Sequence, residues 1–75
     1  MDIERRADKI SVLEFILLQE VVTWFDLREE FNYTYWSAVC RLKRLLKAGF
    51  IKRIGRGQYC LTEDGYNRLD YYGKL

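Results

Sequence analysis

Residues 41–53 read RLKRLLKAGFIKR. Leu42 and Leu45 recur at a spacing that places both side chains on one face of a helix. Gly49 follows as the kind of residue that commonly ends a helix, and Phe50 opens a run typical of a β-strand. The stretch therefore predicts a helix that ends at a glycine and passes directly into a strand.

Charge is distributed unevenly around this stretch. No acidic residue occurs between Phe31 and Thr62, which we call the acid-free block. Its seven cations are Arg41, Lys43, Arg44, Lys47, Lys52, Arg53 and Arg56. The block carries +7, the remaining residues carry −5, and the whole chain carries +2. Because a segment that lacks carboxylates and is rich in Arg and Lys suits a polyanion, the pattern indicates binding to nucleic acid.

Length and composition predict a single domain spanning residues 1–75. A chain of 75 residues buries only about 60% of its extended surface, so we expect its stability to be marginal. A hydrophobic content of 49% and an aromatic content of 16% favour a packed core over disorder. A dimer interface is one way in which so small a domain gains stability.

The composition also disfavours several classes of function. The longest apolar run, Phe15 to Leu18, is far shorter than the roughly 20 residues that cross a bilayer, so we expect a soluble, cytoplasmic protein. Cys40 and Cys60 form no zinc spacing and the chain has no histidine, so no metal or cofactor is expected. Without histidine, a phosphate loop or a catalytic triad, neither an enzyme nor a small-molecule ligand is indicated.

A first helix is predicted from Asp8 to Val21. One face carries apolar residues that we expect to enter the core: Ile10, Leu13, Leu17 and Val21. The other side carries a second apolar set: Val12, Phe15 and Ile16. Because a lone domain normally places charged residues there, we expect something to cover this second face.

Two further helices are predicted on either side of a short turn. Thr23 and Asp26 resemble a capping box, which starts a short second helix that ends at Asn32. Asn tolerates the left-handed conformation that a sharp helix exit requires. Thr34 then caps a third helix that runs to Ala48.

The third helix is predicted to have two different faces. Its core face carries Ala38, Leu42 and Leu45. Its outer face carries Trp36, Cys40, Lys43 and Lys47, flanked by Ser37 and Arg44. One side is therefore expected to pack while the other is basic.

The remaining residues predict a hairpin and a last helix. Two β-type runs, 50–54 and 58–62, are separated by a Gly-Arg-Gly connection centred on Arg56. Thr62 is expected to cap a helix that begins with two acidic residues and ends near Gly73.

The residues resemble those of a winged helix-turn-helix, a superfamily of DNA-binding proteins. The stretch Arg41–Arg53 resembles the end of the recognition helix and the following strand, with its leucines, a basic residue, Gly and two apolar residues. The run YCLTEDG, Tyr59–Gly65, resembles the second wing strand that leads into a Leu-Thr-x-x-Gly helix start. Two positions depart from the common pattern, since Arg28 stands where Ala is frequent and Asn32 stands where Gly is frequent.

This resemblance implies an α+β fold with three N-terminal helices, a two-stranded β-hairpin wing and a C-terminal helix. It also implies a partner, double-stranded DNA, with the recognition helix (34–48) in the major groove and the wing (50–62) on the backbone or in the minor groove. Base contacts are expected from Trp36, Ser37, Cys40, Arg41 and Arg44. Phosphate or wing contacts are expected from Thr34, Lys43, Lys47, Lys52, Arg53 and Arg56.

We expect a homodimeric transcriptional regulator of the compact type found in archaea, their viruses and bacteria. The first and last helices are expected to supply its interface through Val12, Phe15, Ile16, Leu69, Tyr71 and Tyr72. Two alternatives remain open from the sequence. One is a winged helix that serves as a protein-interaction module in a larger complex, and the other is non-specific nucleic-acid binding.

Overall fold

Four helices and one β-hairpin make up the fold of residues 2–74, which the computed structural model describes, with side chains described from residue 9 onward. In chain order the elements are α1 (Asp2–Gln19), α2 (Trp24–Phe31), α3 (Tyr35–Ala48), β1 (Ile51–Gly55), β2 (Gln58–Leu61) and α4 (Glu63–Tyr71). This order confirms the α+β fold that the sequence predicts. Among these residues, no helix is long and apolar enough to cross a membrane.

The ends of α1 differ from the prediction. The helix begins at Asp2 rather than Asp8 and ends at Gln19, because Glu20 adopts a left-handed conformation with φ 69°. Val21 therefore lies beyond the helix and is 41% exposed, although the sequence assigned it to the core face.

The buried face of α1 combines residues from both predicted apolar sets. Leu13 is fully buried, as expected, but so are Val12 and Ile16 from the set that we expected to need a partner. Ile10 and Leu17 are only half-buried. The reason is tertiary, because α4 and β2 both pack against α1 and residues 12 and 16 belong to the shared hydrophobic core.

The hairpin joins a third segment that the sequence analysis missed. In the β1–β2 pair, Ile51 lies opposite Leu61, and the register shifts between Arg53 and Gly55 as at a β-bulge. Val22, in the loop after α1, pairs with Tyr59 through two backbone hydrogen bonds of 2.9 Å each. This pairing ties the hairpin to the N-terminal half of the chain.

The start of α4 is tied to the loop between α3 and β1. Thr62 caps α4 by accepting a hydrogen bond from the Gly65 backbone N–H at 3.1 Å, as predicted. Its hydroxyl donates to the Gly49 carbonyl at 2.5 Å, and its backbone N–H donates to the Phe50 carbonyl at 3.0 Å. One residue therefore fixes the end of α3, the beginning of the wing and the beginning of α4 relative to one another.

Candidate nucleic-acid interface

The turn between α2 and α3 sets the position of the candidate interface. Thr23 and Asp26 form both hydrogen bonds of a capping box at the start of α2. Asn32 ends α2 in the left-handed conformation, with φ 57° and ψ 37°. Thr34 caps α3 by accepting from the Ser37 backbone N–H at 3.2 Å. Because both helix ends are specified locally, the turn brings α3 across α2, and Arg28 remains exposed rather than obstructing this crossing.

The two faces of α3 are divided as the sequence predicts. Ala38, Leu42 and Leu45 are at most 3% exposed and belong to the core. The exposed side chains on the other face are Trp36, Ser37, Cys40, Lys43, Arg44 and Lys47. Arg41 differs from these because it is half-buried at the flank. The apolar face holds the helix in place, so the outer face is presented on a rigid support.

A shallow depression on α3 collects four of the five residues predicted to contact bases. Ser37, Cys40, Arg41 and Arg44 line this space of about 200 Å³. Cys40 is an exposed free thiol. The fifth residue, Trp36, lies outside the depression and contacts the ring of Tyr35 instead. Polar donors and an apolar ring therefore occupy separate parts of the exposed face.

The wing carries three exposed cations. Lys52 and Arg53 lie on β1, and Arg56 lies in the turn between the strands. Gly57 has φ 70°, which closes the turn directly after Arg56. The Nε of Arg53 donates to the Gly55 carbonyl at 3.4 Å, so this side chain lies along the bulge. The tip presents Arg56 between two residues that have no side chain.

Most cations of the acid-free block are exposed in the structure. Among side chains 9–74, none of these seven cations forms an ion pair with a carboxylate. All of them except Arg41 are exposed. Their charge is therefore not neutralised by the described part of the protein itself.

Lys9 is a cation near this surface that the sequence analysis missed. It lines a second depression of about 240 Å³ together with Arg41, Arg44, Leu45 and Ala48. Its Nζ also lies 5.3 Å from the centre of the Phe50 ring, within the range of a cation–π contact. Lys9 follows an acidic residue and lies outside the acid-free block, so no sequence pattern linked it to α3.

The residues predicted for a dimer interface separate into two groups. Val12, Ile16 and Leu69 are fully buried within the single chain, where they belong to the hydrophobic core. Phe15 is half-buried and packs edge-on against Phe31, with the ring centres 5.6 Å apart. Two exposed residues of the predicted set remain, Tyr71 and Tyr72, at 78% and 40% exposure. These two tyrosines still offer accessible aromatic surface.

The arrangement defines a class of fold. Three helices with a tight turn before the third, followed by a β-hairpin and a further helix, form a winged helix-turn-helix. The crystal structure of the reduced form of MarR from E. coli is similar, with a TM-score of 0.82 and 22% sequence identity. The match covers 92% of this chain and 52% of that one, so the chain spans about half the length of its structural neighbour. No family model and no curated protein sequence matches the chain.

Proposed function

We propose that this protein binds double-stranded DNA sequence-specifically and acts as a transcriptional regulator. The observation that carries the proposal is the outer face of α3, where exposed cations and hydrogen-bonding side chains lie opposite a buried apolar face. A helix of this kind, placed after a tight turn, docks in the major groove in helix-turn-helix complexes. The winged-helix fold supports the same arrangement for this chain.

The contacts are divided between α3 and the wing. We assign base edges to Trp36, Ser37 and Cys40 near the start of α3, and to Arg41 and Arg44, whose side chains are long enough to reach guanine. We assign phosphates to residues at the cap, farther along α3 and on the wing, namely Thr34, Lys43, Lys47, Lys52, Arg53 and Arg56. Arg56 is also placed to enter a narrow minor groove, where the electrostatic potential favours an arginine.

The salt dependence of binding tests the proposal. With about six phosphates contacted, the logarithm of the affinity is expected to fall with the logarithm of salt concentration at a slope of roughly −5 on duplex DNA. The measurement is fluorescence anisotropy of a labelled duplex obtained by selection from random DNA, repeated over a series of salt concentrations. A flat response would contradict binding through phosphates.

Competition separates the proposed function from the two alternatives. A regulator that reads bases prefers its selected duplex over random DNA, by at least about 10³-fold if it resembles typical specific binders. Equal competition by random DNA indicates non-specific binding instead. Absence of binding to any duplex, in a protein whose folding is confirmed by circular dichroism, favours the protein-interaction module.

We further propose that the protein acts as a homodimer. A single winged domain buries only about 600 to 1,000 Å² on DNA, and two-fold symmetric sites normally engage two such units. The exposed tyrosines at the end of α4, Tyr71 and Tyr72, are the surface that we assign to this contact. Their rings are 5.2 Å apart and cross at 76°, so they form one aromatic patch.

A further inference from the structure

The first turn of α3 exposes an unusually large apolar side chain. Trp36 is 70% exposed, and its neighbour Tyr35 is 50% exposed. The large apolar residues later in α3, such as Leu42 and Leu45, are instead buried in the core. The free energy is lowered when an exposed indole ring packs against an apolar group and is removed from water. Trp36 is therefore suited to contact an apolar feature of a ligand.

A chain of aromatic contacts holds Trp36 in place. Its ring meets Tyr35 at a centre-to-centre distance of 5.8 Å, and Tyr35 meets Trp24 at 4.9 Å. Trp24 is half-buried and packs against the core, and its other edge-to-face neighbour is Phe25 at 5.9 Å. These edge-to-face contacts favour one orientation of the rings over free rotation. The indole is consequently presented on a support that continues into α2.

The polar groups nearest to Trp36 already form hydrogen bonds with one another at the N-terminal cap of α3. The Thr34 hydroxyl donates to the Ser37 hydroxyl oxygen at 3.2 Å and accepts from the Ser37 backbone N–H at the same distance. Trp36 lies between these two residues and makes no such bond in the described structure. The first turn thus combines an internally bonded cap with an exposed aromatic surface.

Thymine offers the matching feature in DNA. The side chains at the N-terminal end of a recognition helix are the ones that reach base edges in the major groove. Of the four bases, only thymine presents a methyl group there, and apolar side chains recognise it. We propose that Trp36 recognises the 5-methyl groups of thymine, so that this protein requires thymine at the positions that face the first turn of α3. This inference rests on the proposed function, because it specifies which base the same surface reads.

Replacement of thymine by deoxyuridine tests the inference directly. The substitution removes only the methyl group and leaves base pairing and hydrogen bonding unchanged. In the selected duplex, each thymine is replaced in turn, and affinity is measured by anisotropy for the wild-type chain and for Trp36→Ala, Trp36→Phe and Phe25→Ala. For the wild type we expect the DNA-binding affinity to fall about fourfold for each contacted methyl group that is removed, as the burial of one such group predicts.

The variants assign the effect to one side chain. Trp36→Ala is expected to bind the thymine and uracil duplexes equally, whereas Trp36→Phe retains the preference because it keeps an apolar ring without the indole N–H. Phe25→Ala is the matched control, because Phe25 is 49% exposed and lies at the other end of the same series of aromatic contacts. This substitution is expected to leave the preference for thymine unchanged.

Three results would overturn the inference. The first is specific binding by the wild type that is indifferent to uracil at every position, which leaves the proposed function intact. The second is a methyl preference that survives in Trp36→Ala or disappears in Trp36→Phe. The third is a wild-type chain without preference among duplexes, which removes the proposed function and this inference together.

Discussion

Gly65 occupies a position at which no larger side chain fits. A Cβ atom built there would overlap the carbonyl oxygen of Phe50 and lie 2.9 Å from Cδ2 of Leu61. The same Phe50 carbonyl accepts a hydrogen bond from the Thr62 backbone N–H at 3.0 Å. The glycine of the Leu-Thr-x-x-Gly pattern is therefore required because the first turn of α4 packs directly on the backbone that enters the wing.

Gly65→Ala is expected to destabilise the fold even though alanine is the better helix former by about 1 kcal/mol. The overlap with backbone atoms cannot be relieved by a side-chain rotation, and overpacking of this kind costs about 1 to 3 kcal/mol. Urea denaturation followed by circular dichroism measures the change in the free energy of unfolding. Asn67→Ala, an exposed change on the same helix, is the control and is expected to stay within about 0.5 kcal/mol of wild type. An equally stable Gly65→Ala would contradict the packing argument.

At the scale of the element, α3 and the wing present cations in different ways. Arg44 lines the depression on α3 with Ser37 and Cys40, where it is supported by a helix whose other face is buried. Arg56 lies at a hairpin tip between two glycines and is exposed. A guanidinium on a rigid helix suits bidentate recognition of guanine, whereas one at a hairpin tip suits the phosphate backbone or the minor groove.

Two matched Arg→Ala substitutions test this difference between elements. Arg44→Ala is expected to relax the preference at particular base pairs by about 1 to 3 kcal/mol, because one base contact is lost. Arg56→Ala is expected to weaken binding to all duplexes to a similar extent and to make the salt slope shallower. Affinities for the selected duplex, its single-base variants and random DNA provide the comparison. If Arg44→Ala loses the same affinity on selected and random DNA, its assignment to a base edge is wrong.

Across the whole molecule, the exposed cations of the acid-free block lie on α3 and the wing, and α4 carries an exposed aromatic patch of its own. The acid-free block forms the turn, α3 and the wing, and the first acidic residues after it, Glu63 and Asp64, begin α4. Lys9 adds a cation from α1 beside Arg41 and Arg44. Aromatic surface remains exposed at the far end of α4, where Tyr71 is 78% exposed.

Tyr71→Glu is expected to convert the proposed dimer to a monomer, because it places a charge within the aromatic patch at the end of α4. Sedimentation equilibrium measures the mass, and DNA affinity is expected to fall because one half of a symmetric site is lost. Phe25→Glu is the control, since it places a charge on an exposed aromatic residue outside this patch. Phe15→Glu is unsuitable, because Phe15 packs on Phe31 and its loss would disturb the fold. An unchanged mass for Tyr71→Glu would exclude this surface from the dimer.

The bounds of α2 and α3 were predictable from the sequence because helix ends are decided locally. Thr23 and Asp26 start α2, Asn32 ends it, and Thr34 and Gly49 lie on either side of α3. Each of these signals acts within about four residues along the chain, so the residues that interact can be recognised from the sequence alone. The division of α3 into an apolar and a basic face follows from its periodicity in the same way.

Burial and long-range pairing were decided only by the tertiary structure. Both sides of α1 are apolar, and the helix alone does not reveal that Val12 and Ile16 enter the core of a fold in which α4 and β2 pack against α1. The pairing of Val22 with Tyr59 joins residues that share no local pattern, and Lys9 and Arg41 line one depression although they are far apart along the chain. By itself the sequence determined which elements form and which residues carry charge. The packing of those elements determined which surfaces remain available to a partner, because burial depends on atoms that are distant along the chain.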